Sequence, residues 1–174
     1  PGGESVTPGC DVSIIVPAYN EGESLPHLNE ALVSALEALG RTWEIIYCDD
    51  GSTDDSYERM ASFAVDEPRV RVIRFRRNFG QTAAMSAGFD HANGAVIIPI
   101  DADLQNDPQD IGRLLERIDE GYDVASGWRV RRRDSLLSVT LPSRVGNWII
   151  GGVTGVKLHD YGCTLTAYRR EIVR

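Results

Sequence analysis

The sequence predicts an α/β domain whose central sheet is mostly parallel and flanked by helices. Apolar, β-branched runs of strand length alternate along the chain with segments whose apolar residues recur at helical spacing. Such alternation is typical of parallel strands joined by helices that pack on the faces of the sheet. With 174 residues, the chain is long enough to bury the core of one ordinary domain.

The individual elements follow from local signals. The run at 70–75 alternates charged and apolar residues, so we expect it near a sheet edge, whereas the apolar run at 94–100 is expected in the centre. The first helix has Ser24 as a candidate N-cap, Pro26 in its first turn and Gly40 at its end. The predicted strands cover 12–17, 43–48, 70–75, 94–100 and 122–127, and the predicted helices cover 24–40, 54–67, 80–92 and 108–121.

The charge is distributed unevenly along the chain. The formal net charge of −8 argues against general nucleic-acid binding. Residues 1–126 carry a net charge of −14, and residues 127–174 carry +6. This asymmetry favours an anionic partner for the last quarter of the chain, such as a phosphate or a membrane surface. A solvated basic face is the alternative.

The ends of the chain and its cysteines carry weaker signals. Residues 1–10 contain no apolar run and are predicted to be a flexible leader, so the domain is expected to cover 11–174. Three scattered cysteines without metal-ligand spacing favour a reduced, cytoplasmic setting. The segment 136–156 is too interrupted by polar residues and glycines to span a membrane. The final residues read as the start of a helix, which suggests a fragment of a longer protein.

Three polar clusters follow predicted strands. They are AYNEG after the first strand, DDGSTDD after the second and DADLQND after the fourth. In open α/β sheets, ligands bind in the crevice beyond the carboxyl ends of the strands. We therefore expect the three clusters to converge on one site.

The first two clusters suit a nucleotide. Tyr19 is placed to stack on a base, and the Glu21 carboxylate is placed to accept hydrogen bonds from ribose or base. An acid after a strand, here Asp49 or Asp50, commonly binds nucleotide hydroxyl or ring N–H groups. A simple helix-capping turn explains the first segment equally well, whereas in the second segment a capping turn and an exposed nucleotide-binding acid are compatible with each other. In the second turn, Gly51 would adopt positive φ and Asp54 or Asp55 would cap the helix.

The third cluster suits a hard cation. Carboxylates at Asp101 and Asp103 with an amide oxygen at Gln105 match an octahedral ion that bridges two phosphates. Without a cation, the clustered carboxylates would repel one another. A calcium loop of the EF-hand type is excluded because Asn106 and Gly112 stand where it needs Gly and Glu. A plain acidic loop remains the alternative.

Basic segments suit phosphate binding. The arginines at 74, 76 and 77 precede a helix of small residues that starts near Gly80, where backbone N–H groups could face an anion, although close packing on the sheet is favoured. Arginines in 129–133 and Arg144 suit bidentate phosphate binding. The apolar, Trp148-bearing stretch between 136 and 153 suits a membrane interface or an ordinary core helix. Asp160 suits a general base, or an Asx turn.

Taken in chain order, six segments resemble the catalytic domain of the family 2 glycosyltransferases. They are VSIIVPAYNEGESLP, DDGSTDDS, NFGQTAAMSAGF, DADLQNDP, EGYDVASGWR and DYGCTLTAYRR. The similarity is greatest to the polyprenyl-phosphate branch, which includes dolichol-phosphate mannose synthases and bacterial undecaprenyl-phosphate sugar transferases. It extends from Asp11 to Arg174.

The resemblance implies a GT-A, Rossmann-like fold and an inverting transfer of a sugar to a polyprenyl phosphate at the cytoplasmic membrane face. The donor would be a UDP-sugar, with a GDP-sugar as the alternative, and a homo-oligomer is left open. The nucleoside pocket would be lined by Pro17, Tyr19, Glu21 and Asp50, with Asp101 by the ribose or the metal. The metal ligands for Mg²⁺ or Mn²⁺ would be Asp101, Asp103 and Gln105. The lipid phosphate would be bound by Arg129 and Arg144, and the catalytic residues would be Asp160 and Asp103.

Other functions remain open from the residues alone. Transfer to a saccharide hydroxyl would need a stronger general base than transfer to a phosphate does. A noncatalytic nucleotide- or metal-binding module would bind donor without turnover. A nucleotidyltransferase is the weakest alternative, because its glycine- and lysine-rich phosphate loop is missing and the single lysine is Lys157. Members of the resembled branch continue into amphipathic or transmembrane helices, so the chain is expected to stop before them.

Overall fold

The structure of this chain is a computed structural model that describes residues 9–127 and 165–173. Six strands within these residues form one sheet. The strands are β1 (Cys10–Ala18), β2 (Trp43–Asp49), β3 (Val70–Arg74), β4 (Gly94–Pro99), β5 (Val124–Ser126) and β6 (Thr166–Arg169). The α-helices are α1 (Leu25–Ala38), α2 (Ser56–Asp66), α3 (Gln81–His91) and α4 (Ile111–Asp119).

The sheet has the order β3–β2–β1–β4–β6–β5. Strand β1 pairs in parallel with both β2 and β4, and β2 pairs in parallel with β3. Strand β6 runs antiparallel to both β4 and β5. The predicted α/β class with a mostly parallel sheet flanked by helices is confirmed, as is the edge position of β3.

Helices cover both faces of the sheet. The larger core cluster joins residues of α1, α2 and α4 to one face, for example Leu32, Met60 and Leu114. The smaller cluster packs Ala84 of α3 against Ile15 on the other face. Because both faces are covered, the central strands are continuous apolar runs rather than alternating ones.

Element ends differ from the sequence expectations by small amounts. Strand β1 already begins at Cys10, which pairs with Gly94, so the last residue assigned to the leader belongs to the sheet. The helix expected over 108–121 starts as a 3₁₀ turn at Pro108–Asp110 and continues as α4. The helix expected at the end of the chain is a 3₁₀ turn, Arg170–Ile172.

None of the helices within 9–127 and 165–173 is both long and apolar enough to cross a membrane.

Candidate active site

A cleft of about 390 Å³ opens at the carboxyl ends of β1, β2 and β4. Strand order reverses at β1, because the chain runs from β1 to β2 and β3 on one side and then crosses to β4 on the other. Such a switch point leaves a crevice between neighbouring loops. The cleft is lined by Pro17, Ala18, Tyr19, Glu21, Asp50, Asn78, Gly80, Gln81, Ala84, Asp101, Ala102 and Asp103.

The three polar clusters therefore converge as the strand pattern predicts. Six of the predicted site residues line this cleft, namely Pro17, Tyr19, Glu21, Asp50, Asp101 and Asp103. Gln105 is not among the lining residues. The predicted sites at Arg129, Arg144 and Asp160 lie outside the described residues. The roles assigned to all ten remain predictions.

The turn after β1 is tied to the turn after β2. Asn20 adopts a left-handed conformation, with φ of 56°. Its backbone N–H donates to Ser52 Oγ at 3.0 Å, and its side-chain Oδ1 accepts from the Thr53 N–H at 2.8 Å. Tyr19 stays 44% exposed at the cleft. The hydrogen bonds of Asn20 hold this turn without involving Tyr19, whose side chain therefore remains accessible to a ligand.

The Glu21 carboxylate is fixed within the same turn. Ser24 is the N-cap of α1 but makes no side-chain capping bond. Its hydroxyl instead donates to Glu21 Oε2 at 2.8 Å, and the Glu21 N–H donates to Ser56 Oγ at 2.8 Å. Ser24 was expected to accept a hydrogen bond from a free N–H of the first helical turn. Its hydroxyl instead orients the Glu21 carboxylate in the cleft.

The two acids at the end of β2 have different partners. Asp49 has no exposed surface, accepts from the Ser52 N–H at 2.9 Å, and lies 3.4 Å from Arg74 Nε. Asp50 lines the cleft but is only 3% exposed, because its two oxygens accept from the backbone N–H groups of Phe79 and Gly80 at 2.7 and 2.8 Å. Asp50 therefore holds the loop before α3.

The two acids after β4 flank a buried residue, Ala102. Asp101 Oδ1 accepts from Gln81 Nε2 at 2.7 Å, and Asp103 Oδ1 accepts from the Gln105 N–H at 3.0 Å. Each bond uses one oxygen of a group that has about four lone-pair sites. Both carboxylates therefore retain lone pairs that could coordinate a cation.

These carboxylates fit a magnesium or manganese ion whose remaining coordination positions would be filled by phosphate oxygens and water. Within the described ranges, no group of three or more acidic, histidine or cysteine side chains could hold a metal ion alone. Mg²⁺ with nucleotide substrates is typically held by one or two carboxylates together with phosphate oxygens and water. Asp101 and Asp103 supply that number of carboxylates in one cleft.

The sequence interpretation gave the start of α3 near Gly80 only as a less favoured anion site, and it did not name Asn78 or Gln81 as site residues. Asn78, Gly80 and Gln81 line the cleft beside the acids. The favoured interpretation, close packing of the small-residue helix, is correct for its middle, where a Cβ on Gly88 would lie 2.3 Å from Ile15 Cγ2. The segment NFGQ, which is part of the resemblance, contains Asn78, Gly80 and Gln81 and was the available signal for the loop before α3 and its first residue.

An open α/β sheet with a crevice beyond its strand ends at the switch point places the chain in the class of α/β proteins that bind ligands at this position. The family model described as "Glycosyl transferase family 2" matches residues 13–174. The chain belongs to this family.

Curated relatives agree with the family. Undecaprenyl-phosphate 4-deoxy-4-formamido-L-arabinose transferases of Salmonella paratyphi B and Salmonella newport are 46% identical over 163 residues, which are 93% of this chain. The match covers 50% of each relative, so the chain spans about half the length of these proteins.

Solved structures with low sequence identity share the fold. A mycobacterial protein superposes with a TM-score of 0.73 at 17% identity, over 94% of this chain and 54% of that one. Glucosyl-3-phosphoglycerate synthase from Mycobacterium tuberculosis, in complex with Mn²⁺, UDP and glucosyl-3-phosphoglycerate, has a TM-score of 0.71 at 18% identity. This match covers 94% of this chain and 58% of the synthase.

Proposed function

We propose that this chain is the catalytic domain of an inverting glycosyltransferase that moves a sugar from a nucleotide-diphosphate sugar to a polyprenyl phosphate. The observation that carries the proposal is the convergence of Tyr19, Glu21, Asp50, Asp101 and Asp103 on one cleft at the switch point. The identity to undecaprenyl-phosphate sugar transferases supports a lipid phosphate as acceptor. A UDP-sugar is the favoured donor, which the UDP complex of a fold neighbour supports.

The nucleoside would occupy the β1 and β2 side of the cleft. Tyr19, which is partly exposed, would stack on the base, and Pro17 would form the apolar wall behind it. The Glu21 carboxylate, held by Ser24, would accept from ribose or base donors. Asp50 has its oxygens on two backbone N–H groups, so it would contribute through its remaining lone pairs and through the loop that it holds.

The diphosphate would lie on the β4 side. Asp101 and Asp103 would hold Mg²⁺ or Mn²⁺, with Gln105 as the third predicted ligand. The bound ion would neutralise the charge that develops on the leaving diphosphate. The negative charge of the two carboxylates, which would otherwise repel each other, favours a cation between them.

The acceptor would be bound by residues outside the described ranges. Arg129 and Arg144 would bind the lipid phosphate, and Asp160 would lie near the reacting centre. A phosphate monoester has a second pKa of about 6 and is mostly dianionic at neutral pH. Deprotonation of the acceptor would therefore contribute little to catalysis. The rate would depend mainly on positioning the two substrates and on neutralising the charge of the leaving diphosphate. The setting would be the cytoplasmic face of the membrane.

Donor binding tests the proposal first. Calorimetric titration with UDP, UDP-glucose and GDP-mannose, each in Mn²⁺ and in EDTA, should show metal-dependent binding of one nucleotide family. Asp103→Asn should weaken binding in Mn²⁺ about tenfold or more, because a charged ligand is lost. The control Asp110→Asn changes an exposed acid that pairs with Arg113 outside the cleft and should leave binding unchanged. Metal-independent binding by the wild-type domain would contradict the metal site.

Acceptor chemistry is tested by transfer to undecaprenyl phosphate in detergent micelles, with the labelled product followed by lipid extraction. Arg129→Gln should raise the KM for the lipid phosphate. Asp160→Asn should reduce kcat only moderately, since the acceptor is already deprotonated. Near-complete loss of transfer in Asp160→Asn, together with an unchanged KM in Arg129→Gln, would instead favour a saccharide hydroxyl as acceptor.

A further inference from the structure

Gln81 joins α3 to the acidic loop after β4. It is the first residue of α3, and its Nε2 donates to Asp101 Oδ1 at 2.7 Å. Both residues line the cleft. This bond links the helix on one face of the sheet directly to Asp101, the first of the two acids after β4.

The backbone that carries Gln81 is fixed from the β2 side. The carboxylate of Asp50 accepts from the N–H groups of Phe79 and Gly80, directly before Gln81. Two residues before Phe79, Arg77 packs so closely on Gly51 that a Cβ on Gly51 would lie 2.4 Å from the Arg77 carbonyl carbon. Gly80 then turns the chain into α3 with φ of +95°. The starting point of the Gln81 side chain is therefore set by contacts independent of Asp101.

An amide is a suitable donor for this task. A lysine or arginine at position 81 would orient Asp101 but would also neutralise it and compete with a cation. A glutamine amide donates a hydrogen bond without carrying charge. The charge of the Asp101–Asp103 pair is thus preserved while one carboxylate is held in a defined orientation.

We propose that Gln81 is a positioning residue that orients the Asp101 carboxylate towards the metal-bound diphosphate of the donor. This inference rests on the proposed function, since it assigns Gln81 to the same donor site. It extends the site to a residue of α3 that acts through Asp101.

The test compares Gln81→Met, which keeps an unbranched side chain of similar length but removes the donor, with the wild-type chain. The control Gln109→Met makes the same change at an exposed position outside the cleft lining. The measured quantity is the ratio of the Kd for UDP in EDTA to the Kd in Mn²⁺, by calorimetry. We expect this ratio to fall about fivefold in Gln81→Met, as for the loss of one hydrogen bond to a charged group that is partly solvated. It should not change in Gln109→Met.

An unchanged ratio in Gln81→Met would overturn the inference. An equal loss of affinity in Mn²⁺ and EDTA would also overturn it, because Gln81 would then contact the nucleotide or support the fold rather than position Asp101. The thermal midpoint of the ligand-free variant should match that of the wild type. If the ratio of the Kd in EDTA to the Kd in Mn²⁺ were one in the wild type, donor binding would not depend on metal and the proposed donor site would be wrong. A wild-type ratio above one that is unchanged in Gln81→Met would contradict only the role of Gln81.

Discussion

Glu44 is a buried carboxylate at the end of the sheet opposite the cleft. It is 8% exposed, and its Oε1 accepts from Ser13 Oγ and the Asn93 N–H, both at 2.6 Å. Its Oε2 accepts from Arg71 Nη2 at 2.8 Å. Burial alone would raise the pKa of Glu44, but these donors outweigh it and hold the pKa below its ordinary value. The ionised form therefore stabilises the pairing of β1, β2 and the start of β4.

Glu44→Gln should lower the free energy of unfolding at pH 7 by about 1–3 kcal/mol, because buried donors lose a charged acceptor. Since the folded-state pKa is depressed, the contribution of Glu44 is fully present above its unfolded-state value, near 4.5, and is lost as the pH falls through the lower folded-state value. The difference in the free energy of unfolding between wild type and Glu44→Gln should therefore shrink below about pH 4.5. Urea denaturation from pH 7 to pH 3 measures it. The exposed Glu30→Gln is the matched control, and a difference that does not vary with pH would contradict this account.

Helix α3 is placed by small residues. Ala84 and Gly88 lie one turn apart, and both are buried against the sheet. A Cβ on Gly88 would meet Ile15 Cγ2 at 2.3 Å and Cys48 Sγ at 3.2 Å. The same close packing buries the Cys48 thiol and raises its pKa to about 12. Because α3 sits this close, its first turn reaches the cleft and brings Gln81 to Asp101.

Gly88→Ala should destabilise the protein by about 1–3 kcal/mol, since the added methyl overpacks a buried contact with a core side chain. It should also weaken nucleotide binding, because α3 must move away from the sheet. Gly112→Ala in α4 is the matched control, as its Cβ would meet the flexible end of Leu39 at 3.3 Å. A gain of helix propensity makes that change neutral or mildly stabilising. Equal denaturation midpoints for the two variants would show that α3 can shift without cost.

At the scale of the whole molecule, the acidic and basic parts of the chain differ. Residues 1–126 carry a net charge of −14, and residues 127–174 carry +6. The acidic part contains the six cleft residues that the proposal assigns to donor and metal. The basic part contains Arg129 and Arg144, which it assigns to the lipid phosphate. With this distribution of charge, the basic residues in 127–174 would be attracted to an anionic surface, and the acidic residues in 1–126 would be repelled from it.

The chain should bind phosphatidylglycerol-containing vesicles more strongly than vesicles of phosphatidylcholine alone. Replacing the arginines at 131–133 with serine should weaken this binding, with each arginine contributing about 1 kcal/mol at low salt. Binding should fall steeply towards 1 M salt, where the Debye length is about 3 Å. Cosedimentation measures both effects. Replacing Arg113 and Arg117 of α4 is the control, and equal losses in the two sets would argue against a basic binding face.

Sequence alone determined the class of fold and the edge of the sheet at which the candidate cleft lies. Apolar runs buried on both faces are fixed by local composition, and strand ends in a parallel sheet lie at a common edge. The convergence of Tyr19, Asp50 and Asp101 was therefore expected from their positions after predicted strands, without knowledge of any contact. The ends of elements were less well predicted, as at Cys10 and Pro108, because hydrogen bonding to neighbouring segments decides where an element starts.

Tertiary structure alone decided what each polar side chain binds. Position after the strand did not distinguish Asp49 from Asp50, and only the resemblance selected Asp50. In the structure, Asp49 is buried beside Arg74, while Asp50 accepts from the N–H groups of Phe79 and Gly80, some 30 residues away. The bond from Gln81 to Asp101 spans 20 residues, and the one from Asn93 to Glu44 spans 49. The physical reason is that hydrogen bonds depend on distances of about 3 Å, which only the packing of helices on the sheet establishes.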